Sequence, residues 1–275
     1  MPGAIRDIPL SIHQLTLLDV EPEELVDIAA ELGCKHVCLF LELPGGQNSF
    51  PRVRTVQHAH QLRRRLEDKG MSVFNTDTFL VTPKTDFRSY EPMVEIAATV
   101  GAQVIDAMCH HPDFVAAAEI IVNFARLVSS YGLQTVMEPT PRTTTKTLED
   151  AVKVLNLVGD PSLTLNVDIL HLMRSGQQLS DLARVDPSLW YYAQISDGPP
   201  HVPVELQKAE SGENRMVPGE GQFPLVEFVR MLPPNGVLAV EVPLMRLQAE
   251  LPPRMRARRA VEATRSVLAE AAARD

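Results

Sequence analysis

Short apolar runs recur along this chain, and each is followed by a longer stretch whose apolar positions repeat at helical spacing. The runs LSIHQLTL (10–17), KHVCLFLEL (35–43), MSVFNTDTFLV (71–81) and AQVIDAMCH (102–110) are predicted strands. Four more follow at LQTVMEPT (133–140), LTLNVDILH (163–171), WYYAQISDG (190–198) and GVLAVEVPL (236–244). Helices lie between them. EPEELVDIAAELG (21–33) carries acids in its first turn and Gly33 at its end. TLEDAVKVLNLVGD (147–160) has Thr147 as N-cap, Asp150 three residues on and Gly159 as its stop. PDFVAAAEIIVNFARLVSSY (112–131) is apolar at helical spacing after Pro112, with His110 and His111 as candidate caps. The Ala/Arg/Glu-rich C-terminus (251–275) reads as an outer helix that covers the first helix of a closed ring.

Strand–helix alternation through the whole length, with no break in composition, predicts an α/β fold: a single (β/α)8 TIM barrel over residues 1–275. An open doubly wound sheet is disfavoured, because no G-x-G-x-x-G follows the first strand. Two connections are long: LELPGGQNSFPR after the second strand, and the segment from Gly198 to Leu225 after the seventh. At the carboxyl ends of barrel strands such loops serve as lids or substrate walls.

Bulk composition narrows the function classes. The 275 residues are 45% apolar and 22% charged, as in a packed globular protein. A net charge of −9 disfavours a nucleic-acid backbone as partner, and RRR at 63–65 reads as the solvated face of a helix. No apolar run is long enough to span a bilayer, and no signal-peptide pattern follows Met1. Cys34, Cys38 and Cys109 lack metal-ligand or disulfide spacing. The expectation is a cytoplasmic protein with reduced thiols and no membrane contact.

Candidate chemistry sits where the last four strands finish. TVMEPT, NVDILH, AQISDG and AVEVP each place one oxygen-bearing side chain near the end: Glu138, Asp168, Gln194 and Glu241. One strand-end Asp alone would be read as a turn former. In a barrel, however, these ends converge on one mouth and residues of matching parity point inward. Three carboxylates that meet there repel, and a divalent cation removes the repulsion. The all-oxygen set favours Mn²⁺ or Mg²⁺ over Zn²⁺. His171, three residues past Asp168, would lie just outside the ligand shell to orient substrate or move a proton. His13 and Asp77, at the ends of the first and within the third strand, are candidate substrate contacts, whereas His58 and His60 read as solvated.

The succession VMEP, VDILH, QISDG, RMVPGEG and VEVP resembles the xylose isomerase-like barrels, which include sugar isomerases, epimerases and type IV endonucleases. The resemblance implies one divalent metal held by Glu138, Asp168, Gln194 and Glu241. It implies Glu138 and Glu241 as acid and base, and His171 as their assistant. Arg215, and Glu220 within the Pro218–Gly221 turn, are implied as substrate contacts. Gln at position 194 is similar to hydroxypyruvate isomerases and bacterial 3-dehydroshikimate dehydratases, whereas many ketose epimerases carry His. The histidine-rich metal set of the endonucleases is missing here.

The implied chemistry is proton abstraction beside a metal-bound carbonyl, through an enolate. The expected substrate is a small keto-sugar or hydroxycarbonyl compound and the expected reaction isomerisation or epimerisation. The alternatives are a dehydratase of the 3-dehydroshikimate or inosose type and a non-catalytic barrel that binds or serves as a subunit. Barrels of this family often pair, so a homodimer fits the resemblance.

Overall fold

A computed structural model describes residue 5, residues 7–41 and residues 50–274. Strands β1 (Leu10–His13), β2 (His36–Phe40), β3 (Ser72–Val81) and β4 (Val104–Cys109) continue into β5 (Gln134–Met137), β6 (Leu163–Asp168), β7 (Trp190–Ile195) and β8 (Val237–Val240). All pair in parallel in sequence order, and β8 pairs back onto β1, so the barrel is closed. Each predicted run therefore contains a strand. Most of the strands stop earlier than the apolar pattern does, for a physical reason.

At two of those ends a polar side chain captures the backbone and turns it. His13 Nδ1 accepts from the Leu15 amide at 3.1 Å and begins a 3-10 turn over Gln14–Leu17, so 10–17 is strand only to His13. Asp168 Oδ1 accepts from the Leu170 amide at 2.7 Å and caps a helix at Ile169–Arg174, so His171 is helical rather than on the strand. The turn-former reading of Asp168 is thus correct for one of its two oxygens.

The helices of the outer layer are α1 (Pro22–Glu31), α2 (Val56–Asp68), α3 (Phe87–Val100), α4 (Phe114–Ser130) and α5 (Leu148–Val158). The next are α6 (Ile169–Arg174), α7 (Leu179–Leu182), α8 (Val204–Glu213), α9 (Leu225–Arg230) and α10 (Pro253–Ala273). Thr147 and Asp150 form a reciprocal capping box on α5, and Gly159 ends that helix in the left-handed region at φ 64°. The cap of α4 is Asp113, whose carboxylate accepts from the Ala116 amide at 2.9 Å, and neither His110 nor His111 takes that place. A carboxylate at an N-cap is favoured by the exposed helix amides and by the helix dipole.

Helix α2 buries Ala59, Leu62 and Leu66 and leaves Arg63 and Arg64 in solvent, which accounts for the basic run. Helix α10 packs on α9 and also touches α1, so the last helix completes the ring. Its Arg256 is buried, donates to Leu251 O at 3.2 Å and pairs with Asp19 from the segment after β1. The lid candidate after β2 falls mostly at residues 42–49, outside the described residues. The long segment after β7 contains α8 and then returns to the barrel, where Asp197 and Met216 form an antiparallel bridge. Among the described residues no helix is long and apolar enough to cross a membrane. The three cysteines are unpaired and buried.

Candidate active site

The barrel interior is stratified from apolar to charged toward the carboxyl ends of its strands. At the bottom, Phe74, Val104, Val136, Tyr192, Val237 and Ala239 form an apolar cluster separate from the core between strands and helices. Tyr192 hydroxyl donates to Asn75 Oδ1 at 2.9 Å and begins the polar layers. Two residues further along their strands come Asp106, Glu138, Gln194 and Glu241, two positions after Val104, Val136, Tyr192 and Ala239. A strand side chain returns to the same face every second residue, so the parity argument holds for all three proposed ligands in that group. Asp168 shares the inward face with Asn166.

All four proposed ligand residues are buried: Glu138, Asp168, Gln194 and Glu241. Arg215 lies among them. Its guanidinium donates to Asp168 Oδ2 and to Glu241 Oε1, each at 2.7 Å, and its Nε donates to Ser211 O at 2.9 Å. The backbone of Arg215 is held by its amide donating to Pro243 O at 3.1 Å, just past β8. The family resemblance implies Arg215 as a substrate contact. In the fold it instead ties two of the acids together, with all three nitrogen groups engaged.

His171 Nε2 stands 3.8 Å from Glu138 Oε1 and 3.7 Å from Asp168 Oδ2. Ligand atoms of these three residues lie within 4.8 Å of one another, a spacing that one cation could span. His171 is therefore nearer the carboxylates than a position outside the ligand shell requires. Burial pushes its pKa down to about 4, although Asp168 works in the opposite direction, so the imidazole is neutral near pH 7.

Excess negative charge dominates the electrostatics. Burial, followed by the carboxylates of Asp106, Asp77, Asp168 and Glu241, raises the Glu138 pKa well above the usual value. Burial also raises Glu241, against the opposing pull of Arg215 and His13. Asp168 goes the other way, because Arg215 and His171 outweigh its burial. Two like charges 4 Å apart repel by about 4 kcal/mol at an effective dielectric of 20, so one guanidinium cannot settle this group of acids. Glu241 Oε2 is buried and has no hydrogen-bond partner among the described residues. A divalent cation fits such a donor set. It would supply the missing positive charge and a partner for that oxygen, and with His171 in reach the set also suits an ion that accepts nitrogen.

His13 and Asp77 are brought together, with His13 Nε2 2.9 Å from Asp77 Oδ2 and both buried on the β1–β3 side of the mouth. Burial lowers the His13 pKa, but Glu241 and then Asp77 outweigh it and the net direction is upward. Cys38 lies close to the pair. Both ring nitrogens of His13 are already engaged, one by Leu15 and one by Asp77, so the cluster has no imidazole lone pair to spare for a metal.

Glu220 is not in the mouth. It is exposed on the Pro218–Gly221 turn and pairs with Arg259 of α10, so its expected role as a substrate contact is corrected. That turn serves another purpose. Asp197 Oδ2 accepts from the Gly219 and Gly221 amides at 2.9 and 3.0 Å, and Oδ1 accepts from Gly198 and Phe223 at 2.8 and 3.0 Å. A Cβ on Gly221 would collide with the Asp197 carboxyl and with Gly198 O. Two motifs that stand apart in sequence, QISDG and RMVPGEG, are thus one folded unit that anchors the loop bearing Arg215.

Sequence reasoning misses Asp106 and Asn166. Asn166 Nδ2 donates to Asp106 Oδ2 at 2.6 Å and to Gln194 Oε1 at 2.8 Å, entirely inside the barrel. The signal was available in the strand parity, since Asn166 precedes Asp168 by two positions and points the same way.

A sequence profile described as xylose isomerase-like TIM barrel matches residues 26–267. The chain belongs to this family. Among solved structures, the xylose isomerase-like barrel of this chain resembles an IolI protein with a bound zinc atom. The TM-score is 0.79 at 15% identity, over 96% of this chain and 99% of that one. It also resembles the probable 3-DHS dehydratase AsbF of Bacillus anthracis, involved in petrobactin synthesis, with TM-score 0.71, 16% identity and coverage of 95% and 98%. An L-ribulose 3-epimerase gives TM-score 0.69 at 12% identity, covering 97% of this chain and 96% of that one. At these identities the likeness establishes the fold. No curated protein matches the sequence.

Proposed function

We propose that this xylose isomerase-like barrel is a divalent-metal-dependent isomerase or epimerase of small keto-sugars or hydroxycarbonyl compounds. The observation that carries the proposal is the convergence of three buried acids: Glu138 lies beside Asp168, Arg215 bridges Asp168 and Glu241, and one Glu241 oxygen is left without a partner among the described residues. Glu138, Asp168, Gln194 and Glu241 would hold the ion, with His171 as a further donor in reach. When bound, a divalent cation supplies Lewis acidity to a carbonyl oxygen, which makes the neighbouring C–H acidic.

The chain's own residues supply the proton transfers. Glu241 is held through Oε1 by Arg215, and its carboxylate would take a proton on a lone pair that neither Arg215 nor the ion uses. Glu138, buried beside His171 Nε2, is the complementary acid. His171, neutral near pH 7, can relay a proton at Nε2 beside Glu138. His13 Nε2 is tied to Asp77, whose carboxylate oxygens keep lone pairs that can accept from a substrate hydroxyl on the β1–β3 side of the mouth. With Arg215 occupied, two arginines line a crevice beside His171; Arg174 is paired with Glu210, and Arg142 would meet an anionic end of the substrate.

A dehydratase of the 3-dehydroshikimate or inosose type is the second reading. It is supported by the likeness to the probable 3-DHS dehydratase and by the same acid pair, since Glu138 could protonate a leaving hydroxyl. Both readings are tested by one experiment. Purified protein loaded with Mn²⁺ is incubated in deuterated water with ketoses, hydroxypyruvate and 3-dehydroshikimate. Deuterium at the carbon beside the carbonyl, with an isomeric product, supports the first reading, and loss of water from 3-dehydroshikimate supports the second. Neither exchange nor product with the metal present would mean a barrel that binds without catalysis.

A further inference from the structure

Asn166 is fully buried one layer below the mouth, and both N–H groups of its amide are spoken for. One meets Asp106 Oδ2 at 2.6 Å and the other meets Gln194 Oε1 at 2.8 Å. Asp106 Oδ1 has no partner among the described residues, so Oδ2 accepts whether the acid is ionised or protonated on Oδ1. As an acceptor at Oδ2, Asp106 fixes which end of Asn166 is the donor. Asn166 in turn can face the oxygen of Gln194 but not its nitrogen, because two donors cannot pair.

That selection has a consequence for an ion at the mouth. The two lone pairs of an amide oxygen lie in the amide plane, so a donor on one of them sets the plane and aims the other. Without such a donor, an amide among carboxylates would turn its N–H groups toward them and present nitrogen to a cation.

We propose that Asn166, anchored by Asp106, is a positioning residue that keeps the Gln194 amide oxygen available as a metal ligand. The inference rests on the reading of Gln194 as a ligand, and its test separates the two. Mn²⁺ binding is followed by loss of the EPR signal of the free ion, in the wild type, Asn166→Leu, Gln194→Glu and the double variant. Glutamate offers oxygen at both ends, so it needs no neighbour to choose an end. The expected result is about a 10–100-fold weaker affinity for Asn166→Leu, in line with losses when a ligand's supporting hydrogen bond is removed. In the Gln194→Glu background the same substitution should change affinity by less than about 3-fold.

Equal losses in the two backgrounds, or no loss in the native one, would overturn the role of Asn166. No Mn²⁺ binding by the wild type would instead overturn the ligand reading itself. Melting in EDTA checks that each variant folds. Should Asn166→Leu fail to fold, Asp106→Asn keeps the packing and removes the fixed acceptor. It should weaken Mn²⁺ binding in the native background and not in the Gln194→Glu background.

Discussion

Arg215 reaches Asp168 across 2.7 Å, with 1% of one side chain and none of the other exposed to water. The same guanidinium holds Glu241, so one cation from the loop after β7 ties the ends of β6 and β8 together. A planar fork can bridge two carboxylates at once, and an ammonium cannot do so with the same geometry. Arg215→Lys should lower the unfolding free energy by about 3 kcal/mol, as expected when a buried ion pair loses its geometry. Urea denaturation in EDTA measures it. Added Mn²⁺ should recover part of the loss, because an ion that binds only the folded state shifts the equilibrium toward it.

Glu138 and Glu241, proposed as acid and base, give a separate prediction. Glu138→Gln and Glu241→Gln keep side-chain shape and remove the exchangeable carboxyl proton. Each should reduce the rate of carbon-bound deuterium incorporation at least about 100-fold, the usual range for a lost general acid or base. Retention of exchange in Glu241→Gln would show that another group takes the proton.

Gly221 tests the anchoring of the Arg215 loop. Its amide binds the Asp197 carboxylate, and a methyl group there would collide with that carboxyl. Gly221→Ala should destabilise the fold by about 2 kcal/mol through overpacking. Glu220→Ala on the same turn should change stability by no more than about 0.5 kcal/mol, since it removes only an exposed pair with Arg259. Thermal melts of the two variants side by side distinguish the anchor from the surface.

Strand–helix alternation makes the barrel legible in the sequence, and strand parity does the same for the ligand candidates. Residues such as Glu138 and Asp168 stand out because they interrupt apolar strands, and their direction follows from counting by two. Arg215 was recognised as important but not for its reason. Its partners are 47 and 26 residues away in sequence, and only the folded loop shows that its nitrogens are already used. Asn166 and Asp106 lie inside strands rather than at their ends, so Asn166 shows its inward direction only by counting back two positions from Asp168. Glu220 was misplaced for the opposite reason: a family-like turn suggested chemistry where the backbone amides, not the side chain, are used.

Closure of the ring predicts a pH effect. Burial alone would raise the Asp19 pKa, but hydrogen bonds from Gln248 and Arg256 outweigh it and hold the pKa below the usual 3.8. A lowered carboxylate stabilises the fold fully above its unfolded pKa, and that contribution is lost as pH falls through the lower folded value. Asp19→Asn should therefore cost about 2 kcal/mol at pH 7, where it leaves buried Arg256 without its carboxylate. Below about pH 4 the gap between wild type and variant should narrow. Denaturant titrations across pH 3–7 follow that difference.

The most direct measurement is anomalous diffraction from crystals of the wild-type protein soaked in Mn²⁺. The account predicts one strong peak enclosed by Glu138, Asp168, Gln194 and Glu241 at the carboxyl ends of β5 to β8. A mouth without a peak at saturating Mn²⁺, or a peak found only elsewhere in the molecule, would contradict it.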